Sequence, residues 1–332
     1  MSYQTIGVIG AGAWGTALAQ TLASSGRDVT IWSFESDVTD AINAEHVNTR
    51  YLDGVPLAPS LRATSNPSDL AGSDAILSVA PAQHTRGTLQ SFQPHIADGT
   101  PVLLCSKGIE ISSRAFMADI LRDVMPGAVP AVLSGPSFAA DVARGLPTAV
   151  TLACEDATIG ADLVTACAAP TFRPYLTDDV IGAEIGGAVK NVLAIVCGIV
   201  LGKGLGRSAH AAIMARGFAE MTRLGIALGA RPETLTGLCG LGDLVLTCSS
   251  EMSRNMSCGL ALGRGERLED IMQGRLAVTE GVGTAPALKM LAQQHSVDMP
   301  ISFALADILA GEISVDDAMA DLMSREHRLE ID

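Results

Sequence analysis

The sequence predicts an α/β protein, in which an N-terminal, mainly parallel, doubly wound sheet is followed by an all-α C-terminal domain. Three observations predict it. Short β-branched runs alternate with amphipathic stretches through the first half of the chain, which is the pattern of βαβ units. A glycine-rich turn, Gly10-Ala11-Gly12-Ala13-Trp14-Gly15, separates the first such run from the first helical stretch. Beyond Asp179 the strand candidates vanish and helical patterns take over.

In order along the chain, the expected strands are Thr5–Ile9, Val29–Trp32, Ala75–Val79, Val102–Cys105, Ala131–Leu133 and Ala149–Leu152. Amphipathic stretches at Gly15–Ser24, Thr85–His95 and Arg114–Val124 read as helices between them, so the sheet should be covered on both faces. A domain boundary falls near 178, after the Pro-containing segment Arg173–Asp178, giving units 1–178 and 179–332. The second unit reads as helices at Ile181–Gly202, Ala209–Leu228, Pro232–Thr247, Met256–Arg264, Leu268–Met272, Ala285–Gln294, Ser302–Ala310 and Val315–Ser324.

Composition narrows the function. With 332 residues, 48% hydrophobic and 17% charged, the chain can bury two cores. A net charge of −14 argues against nucleic acid and anionic membrane surfaces. It also means that any phosphorylated ligand must be held by local cations and helix N-termini. The first 25 residues lack a basic start and are interrupted by glycines, unlike a signal peptide. The longest apolar run, Val192–Leu201, is too short to span a bilayer. Seven scattered cysteines without a CxxC pair read as reduced, mostly buried thiols, which fits a cytoplasmic protein, and no metal site is expected.

The glycine turn has the strand–turn–helix context of a dinucleotide-binding, Rossmann-type fold. Gly10 permits the tight turn, Gly12 lets backbone approach a pyrophosphate, and Gly15 lets helix and strand pack closely. Free N–H groups at the helix start then face the anion. After the second strand, Glu35 stands about where a carboxylate would grip a ribose 2′-hydroxyl, though one or two positions late, and Arg50 is able to fold back onto a 2′-phosphate. Phe34 either covers the adenine or joins the core. NAD and NADP both remain open.

Lysine is scarce, occurring only at positions 107, 190, 203 and 289. Arginine stays charged, whereas a buried lysine can shift its pKa and move a proton. Lys107 lies just past a strand end, where open α/β sheets bind ligands. Lys190 shares a helix face with Gly186, Gly187 and Asn191, a wall that a cofactor can approach; the alternative is a lysine that snorkels to water. Ser134-Gly135-Pro136-Ser137-Phe138-Ala139 follows another strand end, with Ser137 either a ligand contact or a helix cap. Asp243 and Thr247 fall at i and i+4, and an aspartate among apolar residues needs a partner such as lysine. Ser253-Arg254-Asn255 sets a hydroxyl, a guanidinium and an amide in a row, suited to a phosphate dianion or to an exposed turn.

These motifs together resemble bacterial-type NAD(P)-dependent glycerol-3-phosphate dehydrogenases over essentially the full length. The matching segments are GAGAWGTALA (10–19), SKGIE (106–110), LSGPSFAADVARGLPTAV (133–150), EIGGAVKNVLAI (184–195), GLGDLVLTC (240–248), SRNMSCGLALGRG (253–265) and TEGVGTA (279–285). The resemblance implies an active site between the two domains, a homodimer and a role in glycerophospholipid biosynthesis. It implies that Lys190 is the proton acceptor in alcohol oxidation, with Thr247 near it. Lys107, Gly135, Ser137, Asp243, Ser253, Arg254 and Asn255 match substrate-contacting positions. Ala13, Trp14, Phe34, Lys107, Ala139, Arg254, Val278 and Glu280 match cofactor-contacting positions. The chain departs from the family at Phe34, where Arg or His is common, and at Val79-Ala80-Pro81-Ala82. The resemblance implies that Lys190 gives its proton to the C2 oxygen of dihydroxyacetone phosphate, its pKa lowered by desolvation and by Lys107 and partly restored by Asp243. Two other readings stay open at this level. One is a 3-hydroxyacid or 6-phosphogluconate-type dehydrogenase, and the other is a dinucleotide sensor without catalysis.

Overall fold

A computed structural model of the chain describes residues 3–273 and 278–326. Eight strands form one sheet: β1 Thr5–Ile9, β2 Asp28–Trp32, β3 Arg62–Thr64, β4 Ala75–Ser78, β5 Pro101–Leu104, β6 Val129–Ser134, β7 Thr148–Cys154 and β8 Phe172–Thr177. Their spatial order is β3-β2-β1-β4-β5-β6-β7-β8, and only the β6–β7 pairing is antiparallel. The central strands β1, β4 and β5 are almost wholly apolar and buried, as strands covered on both faces must be. The helices α1 Ala13–Ser24, α2 Ser36–Glu45, α3 Thr85–Phe92, α4 Met117–Val124, α5 Ala139–Ala143 and α6 Ala157–Cys167 connect or flank the strands.

Among the described residues, every α or β element after Thr177 is a helix. These are α7 Val180–Gly202, α8 Gly206–Ala227, α9 Pro232–Thr236, α10 Asp243–Ser249, α11 Arg254–Gly263, α12 Leu268–Gln273, α13 Glu280–Gln294, α14 Pro300–Ala310 and α15 Val315–Ser324. The 23-residue α7 is the axis of this half. It extends well beyond the apolar run noted in the sequence and is long and apolar enough to cross a membrane, yet nearly all of it is buried inside the protein. Small residues let its neighbours approach. A Cβ on Gly198 would stand 2.2 Å from the Met256 carbonyl, and one on Gly259 would stand 1.9 Å from the Ile195 carbonyl, so α7 and α11 pack backbone against backbone. The seven cysteines are buried and none forms a disulfide.

Four local expectations need correction. Phe172–Thr177, not among the expected strands, pairs in parallel with β7 as the outermost strand. Its proline is tolerated because an edge strand has one side free of ladder bonds. Pro232–Thr247 is not one helix, because Gly237 is extended and a π-helical turn at Leu238–Gly242 separates α9 from α10. Gly240 makes this possible, since a Cβ there would lie 1.9 Å from the Leu235 carbonyl. The expected helix at Arg114 begins only at Met117, since Arg114 itself has φ +63°. Finally, Ser137 does not cap a helix. Phe138 precedes α5, and the Ser137 hydroxyl donates to the Gly135 carbonyl at 3.0 Å.

Candidate active site

The sheet order reverses between β1 and β4, and the carboxyl ends of the strands at such a point are where doubly wound sheets bind ligands. The glycine turn follows β1 at this point. Gly10 adopts φ +109°, which favours glycine, and its N–H donates to the Trp32 carbonyl at 3.0 Å, tying the turn to β2. A Cβ on Gly15 would lie 1.9 Å from the Gly10 carbonyl, so α1 can sit this close to the turn only with glycine there. At Gly12, by contrast, a Cβ would meet nothing within 4 Å. No side chain caps α1, so its first-turn N–H groups have no side-chain acceptor. The indole N–H of Trp14 is also buried without a partner. Open space at Gly12, uncapped donors and a helix N-terminus together fit a dinucleotide pyrophosphate.

Asn48 braces this turn from beneath. Its buried amide donates to the Ala11 carbonyl at 2.9 Å and to the Thr16 hydroxyl at 2.8 Å, while Thr16 donates to the same carbonyl. Nothing in the sequence marked Asn48, which stands in a polar stretch with no motif around it.

The second wall is α7. Lys190 is 7% exposed and Asp243 is 1% exposed, so the lysine does not snorkel. The Lys190 ammonium donates to Asp243 Oδ1 at 2.6 Å and to the Thr247 hydroxyl at 2.9 Å. Lys107 reaches from the loop after β5 to Asp243 Oδ2 at 2.7 Å and to the Gly135 carbonyl at 3.0 Å. One buried carboxylate thus joins two lysines brought together from opposite halves of the chain. Asp243 reaches them because the π turn swings the start of α10 toward α7; a Cβ on Gly186 would lie 2.5 Å from the Cys239 carbonyl. Gly187 leaves room for the Lys107 side chain and the Ser134 hydroxyl, which would otherwise meet a Cβ at 3.2 and 2.9 Å.

Burial lowers the Lys190 pKa to about 8, with repulsion from Lys107 adding to the shift and the Asp243 carboxylate opposing it. Burial alone would raise the Asp243 pKa, but Lys107 and Lys190 together outweigh it and hold the carboxyl below its usual range. The trio therefore carries an ionised aspartate beside a lysine able to exchange a proton near neutral pH.

A chain of amides ties the walls together. Asn191 donates to the Lys107 carbonyl at 3.0 Å, Asn255 donates to Asn191 Oδ1 at 2.8 Å, and the Gly281 N–H donates to Asn255 Oδ1 at 2.9 Å. Glu280, at the start of α13, accepts from the Ala82 N–H at 3.2 Å, so the loop after β4 is also held from the helical half. Burial raises the Glu280 pKa, and that N–H and the nearby Arg254 partly offset the rise. Arg254 is exposed at the first turn of α11, capped by the buried Ser253 hydroxyl, which accepts from the Met256 N–H at 3.2 Å. Ser78, Ser134 and Thr284 carry buried hydroxyls without partners, the first two at the carboxyl ends of β4 and β6.

The remaining sequence candidates lie around this centre. Gly135 has φ +150°, and a Cβ on it would stand 2.9 Å from Val150 Cα, so the turn after β6 depends on it. Ala139 begins α5 and is partly buried, and Val278 is 41% exposed just before α13. Phe34 is 83% exposed at the end of β2, which excludes it from the core. Arg50 is already engaged, 3.2 Å from Asp37 and 4.0 Å from Glu35. Asn191 had a signal in its place beside Lys190 on a face of small residues, Ser134 opened the segment noted after a strand end and Thr284 lay in the matching segment 279–285, whereas Ser78 had none.

Comparison with known proteins shows the family. Residues 5–160 match the family model described as NAD-dependent glycerol-3-phosphate dehydrogenase N-terminus, and residues 179–320 match that of the C-terminus. A glycerol-3-phosphate dehydrogenase [NAD(P)+] of Maricaulis maris is 65% identical over 99% of this chain and 98% of its own. One from Hyphomonas neptunium is 61% identical with the same coverage. The crystal structure of a glycerol-3-phosphate dehydrogenase from Coxiella burnetii is 40% identical, covers 98% of this chain and 99% of its own, and superposes with a TM-score of 0.93. The chain belongs to the NAD-dependent glycerol-3-phosphate dehydrogenase family.

Proposed function

We propose that this chain interconverts sn-glycerol 3-phosphate and dihydroxyacetone phosphate in the crevice between residues 1–178 and 179–332, with Lys190 as general acid and base. The observation that carries the reading is the Lys190–Asp243–Lys107 trio, formed where the loop after β5 meets α7 and α10 on one buried carboxylate. A dinucleotide sensor without catalysis would have no use for a buried and a half-buried lysine on one buried aspartate.

When bound, the nicotinamide supplies or takes up a hydride at C2 of the triose. Reduction leaves negative charge on the C2 oxygen, and Lys190 gives that oxygen a proton; in oxidation neutral Lys190 takes the proton from the hydroxyl. A pKa of about 8 keeps both forms populated near neutrality, where a lysine at its ordinary value of about 10.4 would make a poor base. Asp243 and Thr247 fix the direction of the ammonium. Lys107 helps lower the pKa of its neighbour and adds positive charge where the alkoxide develops.

Arg254 and Asn255 form the phosphate end of the reading, with Ser253 at its edge and Gly135 and Ser137 along the triose. The Asn255 carbonyl is spent on Gly281 and one of its amide hydrogens on Asn191, so its remaining N–H is what it offers a ligand. The exposed Arg254 fork is the stronger anion contact. Gly10, Gly12, Ala13, Trp14, Gly15, Phe34, Ala139, Val278 and Glu280 belong to the cofactor side of this reading. A homodimer, a cytoplasmic location and supply of glycerol 3-phosphate for phospholipids complete it, supported by the family.

Lys190→Ala tests the reading. Turnover should fall below detection while NAD(P)H still binds with its wild-type affinity, measured by calorimetry. Retention of most of kcat would remove Lys190 from the mechanism.

A further inference from the structure

We infer that Glu35, held in place by Tyr51 and flanked by Asp37, makes this chain select NAD(H) over NADP(H). The inference rests on the dinucleotide reading above and extends it to the adenosine end of the cofactor. The two cofactors differ there by one group, a neutral 2′-hydroxyl that donates a hydrogen bond or a 2′-phosphate that carries nearly two negative charges. The residues past β2 therefore decide between a donor and an anion.

Four observations favour the hydroxyl. Glu35 stands three residues beyond β2, whose last residue, Trp32, receives the Gly10 N–H of the glycine turn. Its carboxylate is oriented, since the Tyr51 hydroxyl donates to Oε1 at 2.7 Å, while Oε2 has only a long 3.4 Å contact from the Ser33 hydroxyl. An oriented carboxylate with one oxygen nearly open suits a ribose hydroxyl. Next, α2 begins at Ser36 with Glu35 at its cap and Asp37 in its first turn. Two carboxylates already complement the positive end of the helix, so a third anion meets repulsion there.

The third observation is that Arg50, the guanidinium that pairs with Asp37 and Glu35, is committed. It is 3.2 Å from Asp37 and 4.0 Å from Glu35, and it lies 5.4 Å over the Tyr51 ring. Glu35, Asp37 and Arg50 together carry a net charge of −1, so moving Arg50 to a phosphate would leave two carboxylates unpaired beside it. Fourth, the side chain exposed at the strand end is Phe34, packed edge-to-face with Trp32 at 6.4 Å. It offers a flat apolar surface and no donor.

The test is calorimetric titration of the protein with NADH and with NADPH, without triose, so that binding is read separately from turnover. The wild type should bind NADH at least ~10-fold more tightly, the scale expected for one unrelieved carboxylate–phosphate repulsion near a protein surface. Glu35→Gln keeps the shape and removes the charge, and should reduce that ratio by roughly 10-fold. Phe34→Arg combined with Glu35→Ser should invert it. Arg50→Gln should leave the preference for NADH in place. Equal or tighter NADPH binding by the wild type, an unchanged ratio in Glu35→Gln, or selective loss of NADPH binding in Arg50→Gln would each overturn the inference. If neither dinucleotide binds, the cofactor reading itself fails, and this one with it.

Discussion

Replacing Asp243 by Asn separates the electrostatic role of that carboxylate from its shape. In the native site it lies 2.6 Å from the Lys190 nitrogen and 2.7 Å from that of Lys107. Coulomb's law with an effective dielectric of about 20 gives roughly 6 kcal/mol for unit charges 2.6 Å apart. At about 1.4 kcal/mol per pKa unit, that is a ceiling near 4 units. Relaxation and entry of water reduce such effects, and opposite charges at contact usually shift a pKa by about 1–3 units. Burial and Lys107 both continue to push Lys190 downward once the carboxylate is gone. The Lys190 pKa should therefore fall from about 8 to roughly 5–7. The reduction of dihydroxyacetone phosphate needs the ammonium, so the pH above which kcat/KM declines should move down by the same amount. Followed through nicotinamide absorbance from pH 5 to 9, the wild type should lose reductive activity near pH 8 and the variant one to three units lower. The variant should also lose about 3–5 kcal/mol of stability, because the buried Lys190 ammonium must give up either its counter-ion or its proton, so the profile is taken well below its melting temperature. An unshifted break, or one moved upward, would refute the assignment of that ionisation to Lys190.

Three more outcomes are expected. Arg254→Ala should raise KM for dihydroxyacetone phosphate at least ~10-fold more than for unphosphorylated dihydroxyacetone, since a charge-assisted fork on a dianion is worth about 1.5–3 kcal/mol; equal effects on both substrates would remove the phosphate assignment. Gly15→Ala forces a Cβ to 1.9 Å from the Gly10 carbonyl and should weaken NADH binding by more than ~10-fold while leaving far-ultraviolet circular dichroism intact; tight binding would show that the close approach is dispensable. Glu184 is buried against α4, where it accepts from the Ala118 N–H at 2.9 Å, and burial raises its pKa to about 8. A carboxyl whose folded pKa exceeds its unfolded value of about 4.3 contributes fully only below that unfolded value, and its contribution drains away as pH rises toward 8. Glu184→Gln should therefore gain stability over wild type across pH 5 to 8, reaching about 2–5 kcal/mol at pH 9 in urea titrations; a difference independent of pH would show that Glu184 does not titrate in that window.

What the chain order reveals and hides follows from physical range. The strands β1, β2 and β4 to β7 are visible because each is an apolar run bounded by turn residues, and the glycine turn is visible because its function is local to six residues. The strand β3 is hidden because three residues, Arg62–Thr64, carry no period, and their strand character comes from pairing with β2. The strand β8 is hidden because Pro174 argues against a strand until the sheet order puts it at an edge. The helices α2 and α6 went unassigned because a polar stretch, Ser36–Glu45, and a glycine at position 160 blur the apolar stripe.

The sequence by itself determined the alternation of elements, the cofactor turn and the scarcity that made Lys107 and Lys190 worth attention, because propensity, periodicity and residue chemistry act within a few positions. Only the tertiary structure decided that both lysines share one carboxylate 136 and 53 residues away, that Asn48 supports the glycine turn, and that Arg50 is occupied by Asp37 and Glu35. Those are contacts at a few ångströms between segments far apart in the chain. They exist only after α7 and the sheet have packed, and no local rule encodes which buried charge will meet which partner.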